Sequence, residues 1–125
     1  MNSNPTRFFA TGAFFVLCGM LWGIQMSASQ DHTFAPAHAH LNLIGFVLMS
    51  IFGTYYALTP RAAQTKLASA HFGLHVLAVL ILVPGIVQAI AEKGDALAKI
   101  GSVLTVLSMV MFLYAILRNG VGEKA

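Results

Sequence analysis

The chain has 125 residues, 58% of them hydrophobic and 9% charged, with a formal net charge of +3. A soluble domain carries roughly a quarter charged residues, so this composition excludes an ordinary soluble fold and implies an integral membrane protein. The single cysteine, Cys18, excludes an intramolecular disulfide, and the basic residues are spread over short connections without interleaved aromatics, which excludes a nucleic-acid surface.

A transmembrane helix needs about 20 mostly apolar residues. Four segments qualify in chain order: 8–26, 37–58, 67–90 and 100–117. The first follows Arg7 and could be read as a signal peptide. It is long enough to span, and no clear small-x-small cleavage site follows at the usual place, Ser27-Ala28-Ser29 being the nearest candidate, so a retained helix is expected. The polar stretch Ser27 to Pro36, the stop Thr59-Pro60-Arg61 and the charged turn Glu92-Lys93-Gly94-Asp95 separate the spans. The expected fold is an all-α four-helix transmembrane bundle forming a single domain over residues 1–125.

Lysine and arginine in short loops set orientation. With the N-terminus inside, Arg7, Arg61, Lys66, Arg118 and Lys124 lie on the cytoplasmic side, against Lys93 and Lys99 outside. Both termini are therefore expected in the cytoplasm, in a multi-pass protein of a bacterial inner membrane. The second helix then runs from outside to inside. His38 and His40 fall near its outer end, Tyr55 and Tyr56 near its inner end in the place of interfacial anchors, and Trp22 toward the outer end of the first helix.

Ionisable and metal-ligating side chains are costly in hydrocarbon, and imidazoles ligate iron, copper and zinc. Neighbours two apart on a helix point about 200° apart, so His38 and His40 face nearly opposite sides. They can serve two sites, or one can ligate while the other lines a cavity, or both can be interfacial residues bonded to water and headgroups. His71 and His75 are four apart on the third helix and share a face. They can hold a second metal site or be packing histidines bonded to Ser69 or to a neighbouring helix. Counting backbone rise from the 59–66 turn separates His40 from His75 by about 15 Å, so the outer and inner pairs are distinct.

His32 lies in the outer loop beside Asp31, as a solvated residue, a loose ligand or a lid. Asn42 is placed to orient a neighbouring imidazole. Gly45, Ser50 and Gly53 permit close approach of another helix or a flat macrocycle. The methionines form no array, and Cys18 reads as apolar filler. Asp31, Glu92, Asp95 and Glu123 all lie outside the spans, which argues against a carboxylate-based proton pump or ion-coupled transporter.

His38-Ala-His40 opening an outside-to-inside helix, with Asn42, Gly45 and the ending Gly53-Thr-Tyr55-Tyr56…Pro60, resembles the haem-binding helices of the haem–copper oxidase superfamily. It looks closest to the large subunit of nitric oxide reductases. The resemblance covers about 25 of the 125 residues. It implies haem b, with His38 and His40 as candidate iron ligands and Asn42 and Gly45 at the cofactor. The family subunit is built from four-helix arcs, which implies that this chain is one arc, that a homotrimer would resemble the whole, and that haem would lie between second helices of adjacent protomers. The family's outer His-His pair and its proton-channel carboxylates have no counterpart here, which leaves its binuclear reduction of oxygen or nitric oxide without a matching residue set.

Three functions are thus expected side by side. The first is a b-type haem membrane protein for electron transfer, gas binding or redox sensing. The second is a copper or other metal-binding assembly factor using His32, His38 and His40. The third is a structural accessory protein whose histidines bond between helices. Membrane lipid and further copies of the chain are the expected partners, with a redox partner that the sequence does not identify.

Overall fold

The computed structural model describes residues 4–123. Lys124, counted in the charge balance, lies outside them. Helix α1 covers Asn4–Ser29 and α2 covers Ala35–Leu58. A four-residue helix α3 (Pro60–Ala63) leads into α4 (Lys66–Ile90), and α5 covers Ala96–Asn119. Among the described residues there is no strand, and α1, α2, α4 and α5 are the four helices long and apolar enough to cross a membrane.

The helix ends follow local chemistry. Asp31 accepts hydrogen bonds from the hydroxyl and backbone N–H of Thr33, and Pro36 opens α2, where its missing N–H costs nothing. Those bonds from Thr33 hold the exposed Asp31 carboxyl below its ordinary range. Pro60 excludes helical geometry for Thr59, which leaves the helix at φ −127° and ψ 72°. Thr65 caps α4 by accepting from the Ala68 N–H at 3.2 Å. Gly120 ends α5 at φ 70°, a left-handed angle that favours glycine.

Helices α1 and α2 pack as one hairpin and α4 and α5 as another, with α2 against α4 joining them. The α4–α5 contact is close because small residues line it. On α5 the buried positions are Gly101, Ser108 and Ala115, seven apart. On α4 they include Ala68, His71, His75, Ala78, Leu82 and Gly85, alternating three and four apart. That 3.5-residue period is the seam of a left-handed helix pair. A Cβ added at Gly85 would stand 2.5 Å from the backbone nitrogen of Ala98, and one at Gly101 would stand 2.5 Å from Leu82 Cα. Backbone contact of this kind supplies the dispersion energy that holds helices together in lipid.

The core lies toward the α3 end of the bundle. Phe8, Phe52 and Tyr56 are fully or almost fully buried around His71, and Met49 is buried in the same cluster. Phe8 stacks on Tyr56 with centroids 5.2 Å apart. Outward faces are apolar as well: Phe14, Leu17, Leu21 and Ile24 of α1, and Val103, Val106, Val110, Leu113 and Leu117 of α5, are all exposed. Bands of this size suit lipid, since soluble monomers rarely expose contiguous apolar patches so large.

Helix α2 is not uniform. It is α-helical over Ala35–Asn42 and Met49–Leu58 and π-helical over Leu43–Leu48. The sequence carries one contribution. Buried positions fall at Ala37, Leu41, Gly45 and Met49, three successive steps of four. On a regular helix such steps drift by about 40° each. A wider turn absorbs the drift and keeps one side of α2 on the bundle.

Candidate functional site

His38 and His40, near the N-terminal end of α2, point to different neighbours, as their spacing requires. His40 is exposed, and its Nδ1 lies 2.7 Å from the carbonyl oxygen of Pro36. A carbonyl only accepts, so Nδ1 carries a proton, and in the neutral ring Nε2 keeps the lone pair. No side chain or backbone group among the described residues hydrogen-bonds that Nε2. The ring lines a cleft of about 320 Å³ between α2 and the α4–α5 hairpin, with Ile44, Leu82, Ile86, Ala98, Ser102 and Thr105.

His38 turns toward α1. Its ring meets Trp22 edge-on at 6.1 Å, and a Cβ at Gly23 would come within 3.3 Å of its Cε1. Its Nε2 is 3.3 Å from Asn42 Nδ2, so Asn42 does orient an imidazole, the one at i−4. Nδ1 of His38 and Oδ1 of Asn42 are buried without a hydrogen-bond partner among the described residues. Gly19 lies against the Asn42 amide and leaves no room for a side chain. Gly45 faces α1, where a Cβ would meet the Phe15 side chain at 3.0 Å. Ser50 and Thr54 line a separate groove of about 460 Å³ on the outer surface of α2. Cys18 is half-buried beside the Phe15, Leu41 and Val79 cluster, and His32 is an exposed loop residue whose carbonyl accepts from Ala35 N–H at 3.1 Å.

His71 and His75 are fully buried. They do not bond Ser69, which is held instead by Asn4 and Arg7. All four of their ring nitrogens have protein partners. Tyr56 Oη is 2.9 Å from His71 Nδ1, and Ser108 Oγ is 3.1 Å from His71 Nε2. The same Ser108 Oγ is 2.7 Å from His75 Nδ1, and His75 Nε2 is 2.8 Å from the carbonyl oxygen of Ile44. The Ile44 carbonyl fixes the whole line. His75 must donate from Nε2, so its Nδ1 accepts the Ser108 proton. Ser108 in turn accepts from His71 Nε2–H, and His71 Nδ1 accepts from Tyr56. Every bond runs one way, from Tyr56 to the π-turn of α2.

Tyr55 and Tyr56 correct the expectation of interfacial anchors. They are 6% and 1% exposed, because each hydroxyl finds an internal acceptor. Tyr55 donates to the Gly120 carbonyl at 2.7 Å, and Tyr56 reaches His71. The sequence reading also missed Ser108 and the Ile44 carbonyl. The seven-residue series of small residues on α5 is the signal that could have found Ser108. A backbone carbonyl leaves no trace in residue type.

The His38–His40 pair and the His71–His75 pair have separate partners, and among the described residues no three His, Cys, Asp or Glu side chains gather to hold a metal ion. What one chain offers is a single imidazole with a fixed tautomer beside an apolar cleft. Comparison of the chain with protein-family models, with curated proteins and with solved structures gives no match.

Proposed function

We propose that the chain is a small b-type haem protein of the membrane, with His40 as the iron ligand. The observation that carries this reading is the Pro36 carbonyl on His40 Nδ1, which leaves Nε2 as the available ligand atom of a ring that lines the cleft. A ligating histidine characteristically donates its other ring N–H to such an acceptor, which orients it and raises its basicity. The apolar walls formed by Ile44, Leu82 and Ile86 suit a macrocycle, and the likeness of the His38-Ala-His40 helix to haem-binding helices supports the same assignment. Bound iron would supply one-electron chemistry, gas binding or redox sensing, tuned by the ligand and the dryness of the pocket.

The cleft is small for such a group. Its volume of about 320 Å³ is at the lower end of ligand pockets, which run to roughly 1,000 Å³. A second copy of α2 would complete it, consistent with haem held between protomers of a homotrimer. A position in a bacterial inner membrane with both termini cytoplasmic belongs to the same proposal.

The test is a reduced-minus-oxidised visible spectrum of protein purified from haem-supplied cells, repeated for His38→Ala and His40→Ala. The wild type and His38→Ala should show b-type bands and His40→Ala should not. A colourless wild type, or copper without porphyrin absorbance, sinks the reading.

A further inference from the structure

We propose that His75 is a positioning residue for His40, and that it acts by holding the π-turn of α2. The proposal rests on the reading of His40 as a ligand for its functional consequence, but not for its geometry. A side chain that inserts into a helical ladder is a recognised cause of helix distortion, and single π-turns concentrate at functional sites. Here His75 reaches from α4 to the carbonyl of Ile44, inside the π-turn at Leu43–Leu48. Ser108 fixes the ring by its bond to Nδ1 at 2.7 Å. The donor at Nε2 has no other acceptor among the described residues, and His75 is fully buried.

The consequence lies one turn away. A π-turn holds one more residue than an α-turn, so closing it rotates the outer half of α2 by about 100° and shifts it by about 1.5 Å. Each outer residue would then take the present place of its N-terminal neighbour. Leu41 would replace His40 at the cleft. His38 would move into the fully buried place of Ala37, and Ala37 would move to the exposed place of Pro36. The His75–Ile44 bond thus decides whether the cleft is faced by an imidazole or by leucine.

The experiment is thiol labelling with a membrane-impermeant maleimide, on full-length, cofactor-free protein in detergent with Cys18→Ser as background. Reporters are introduced one at a time as Leu41→Cys, Ala37→Cys and His38→Cys, with Met26→Cys on α1 as control. Adding His75→Phe should speed labelling at 41 and 37 by about tenfold, the scale of losing one buried hydrogen bond, and slow it at 38. His75→Gln, whose amide can donate to the Ile44 carbonyl, should restore the wild-type pattern. A general loosening would instead speed all four positions together, and that result, or unchanged rates, overturns the proposal. If His75→Phe does not fold, Ser108→Ala gives the same test with a smaller shift. Because no cofactor is present, a protein that proves colourless yet shows the exchange loses the haem reading and keeps this one.

Discussion

The hydroxyl of Ser108 lies 2.7 Å from Nδ1 of His75, and the direction of that bond is forced from 31 residues away along the chain. His75 gives its only N–H to the Ile44 carbonyl, so Ser108 must donate to it and accept from His71. Both rings are then neutral Nε2–H tautomers. Nitrogen chemical shifts of ¹⁵N-histidine-labelled protein should show two such rings from the core, and His40 should show the opposite, Nδ1–H form. Ser108→Ala strands His71 Nε2–H and the His75 Nδ1 lone pair in a buried place. It should cost about 2–4 kcal/mol, from about 1–3 kcal/mol per unsatisfied group with some relaxation, measured by detergent unfolding. Tyr56→Phe removes only a donor to one lone pair and should cost less.

Glycines on α4 and α5 give a prediction with opposite signs. Gly101→Ala places a Cβ against the backbone of Leu82, which cannot yield without moving a helix. It should destabilise by about 1–3 kcal/mol, the usual cost of overpacking. A Cβ added at Gly73, on α4, would meet nothing within 4 Å among the described residues. Gly73→Ala should therefore stabilise by about 0.4–1 kcal/mol, through lower entropy of the unfolded chain. Paired unfolding curves of the two variants check both signs.

The four long helices were legible because each is a run of apolar residues, and length with composition is all that a membrane-crossing helix must declare. Their ends were less so: α5 begins at Ala96 rather than near Ile100, because Asp95 and Lys99, 3.3 Å apart, start the helix with charged residues. Opposite faces for His38 and His40 followed from helical spacing alone. The partners of His71 and His75 did not, since Ser108 sits more than 30 residues away and only the packing of α4 on α5 brings it near. The π-turn was written in the run Ala37, Leu41, Gly45, Met49, but recognising it requires knowing which side of α2 is buried.

Asp31 gives the α1–α2 loop a pH dependence. Its carboxyl is held below the ordinary value of 3.8 by hydrogen bonds from Thr33. The ordering it provides is therefore complete above the unfolded value and is lost as pH falls through the lower, folded one. The protection factor of the Thr33 amide, taken against the intrinsic exchange rate at each pH, should hold from neutral pH through the ordinary carboxylate value of 3.8 and be lost only below it. Asp31→Asn should remove the acid transition. A Thr33 amide whose protection persists through the titration would show that the carboxylate does not organise the turn.

Arg61 ties the end of the described chain to the α2–α3 corner. Its Nε donates to the Asn119 carbonyl at 2.9 Å and its Nη1 to the Gly122 carbonyl at 2.6 Å. Tyr55 Oη holds the carbonyl of Gly120 at 2.7 Å, and Thr59 Oγ1 accepts from the Gly122 N–H at 2.9 Å. A guanidinium satisfies two carbonyls at once through its planar fork, which an ammonium cannot reproduce. Arg61→Lys should therefore free residues 120–122 nearly as well as Arg61→Ala does, and both should speed hydrogen exchange at the Gly122 amide by about tenfold, for a charge-assisted bond worth about 1.5 kcal/mol. Far-ultraviolet circular dichroism and the histidine nitrogen shifts should not move, because α5 is held along its length by the Gly101, Ser108 and Ala115 seam rather than by its end. If Arg61→Lys exchanges like the wild type, charge rather than the fork secures the tail.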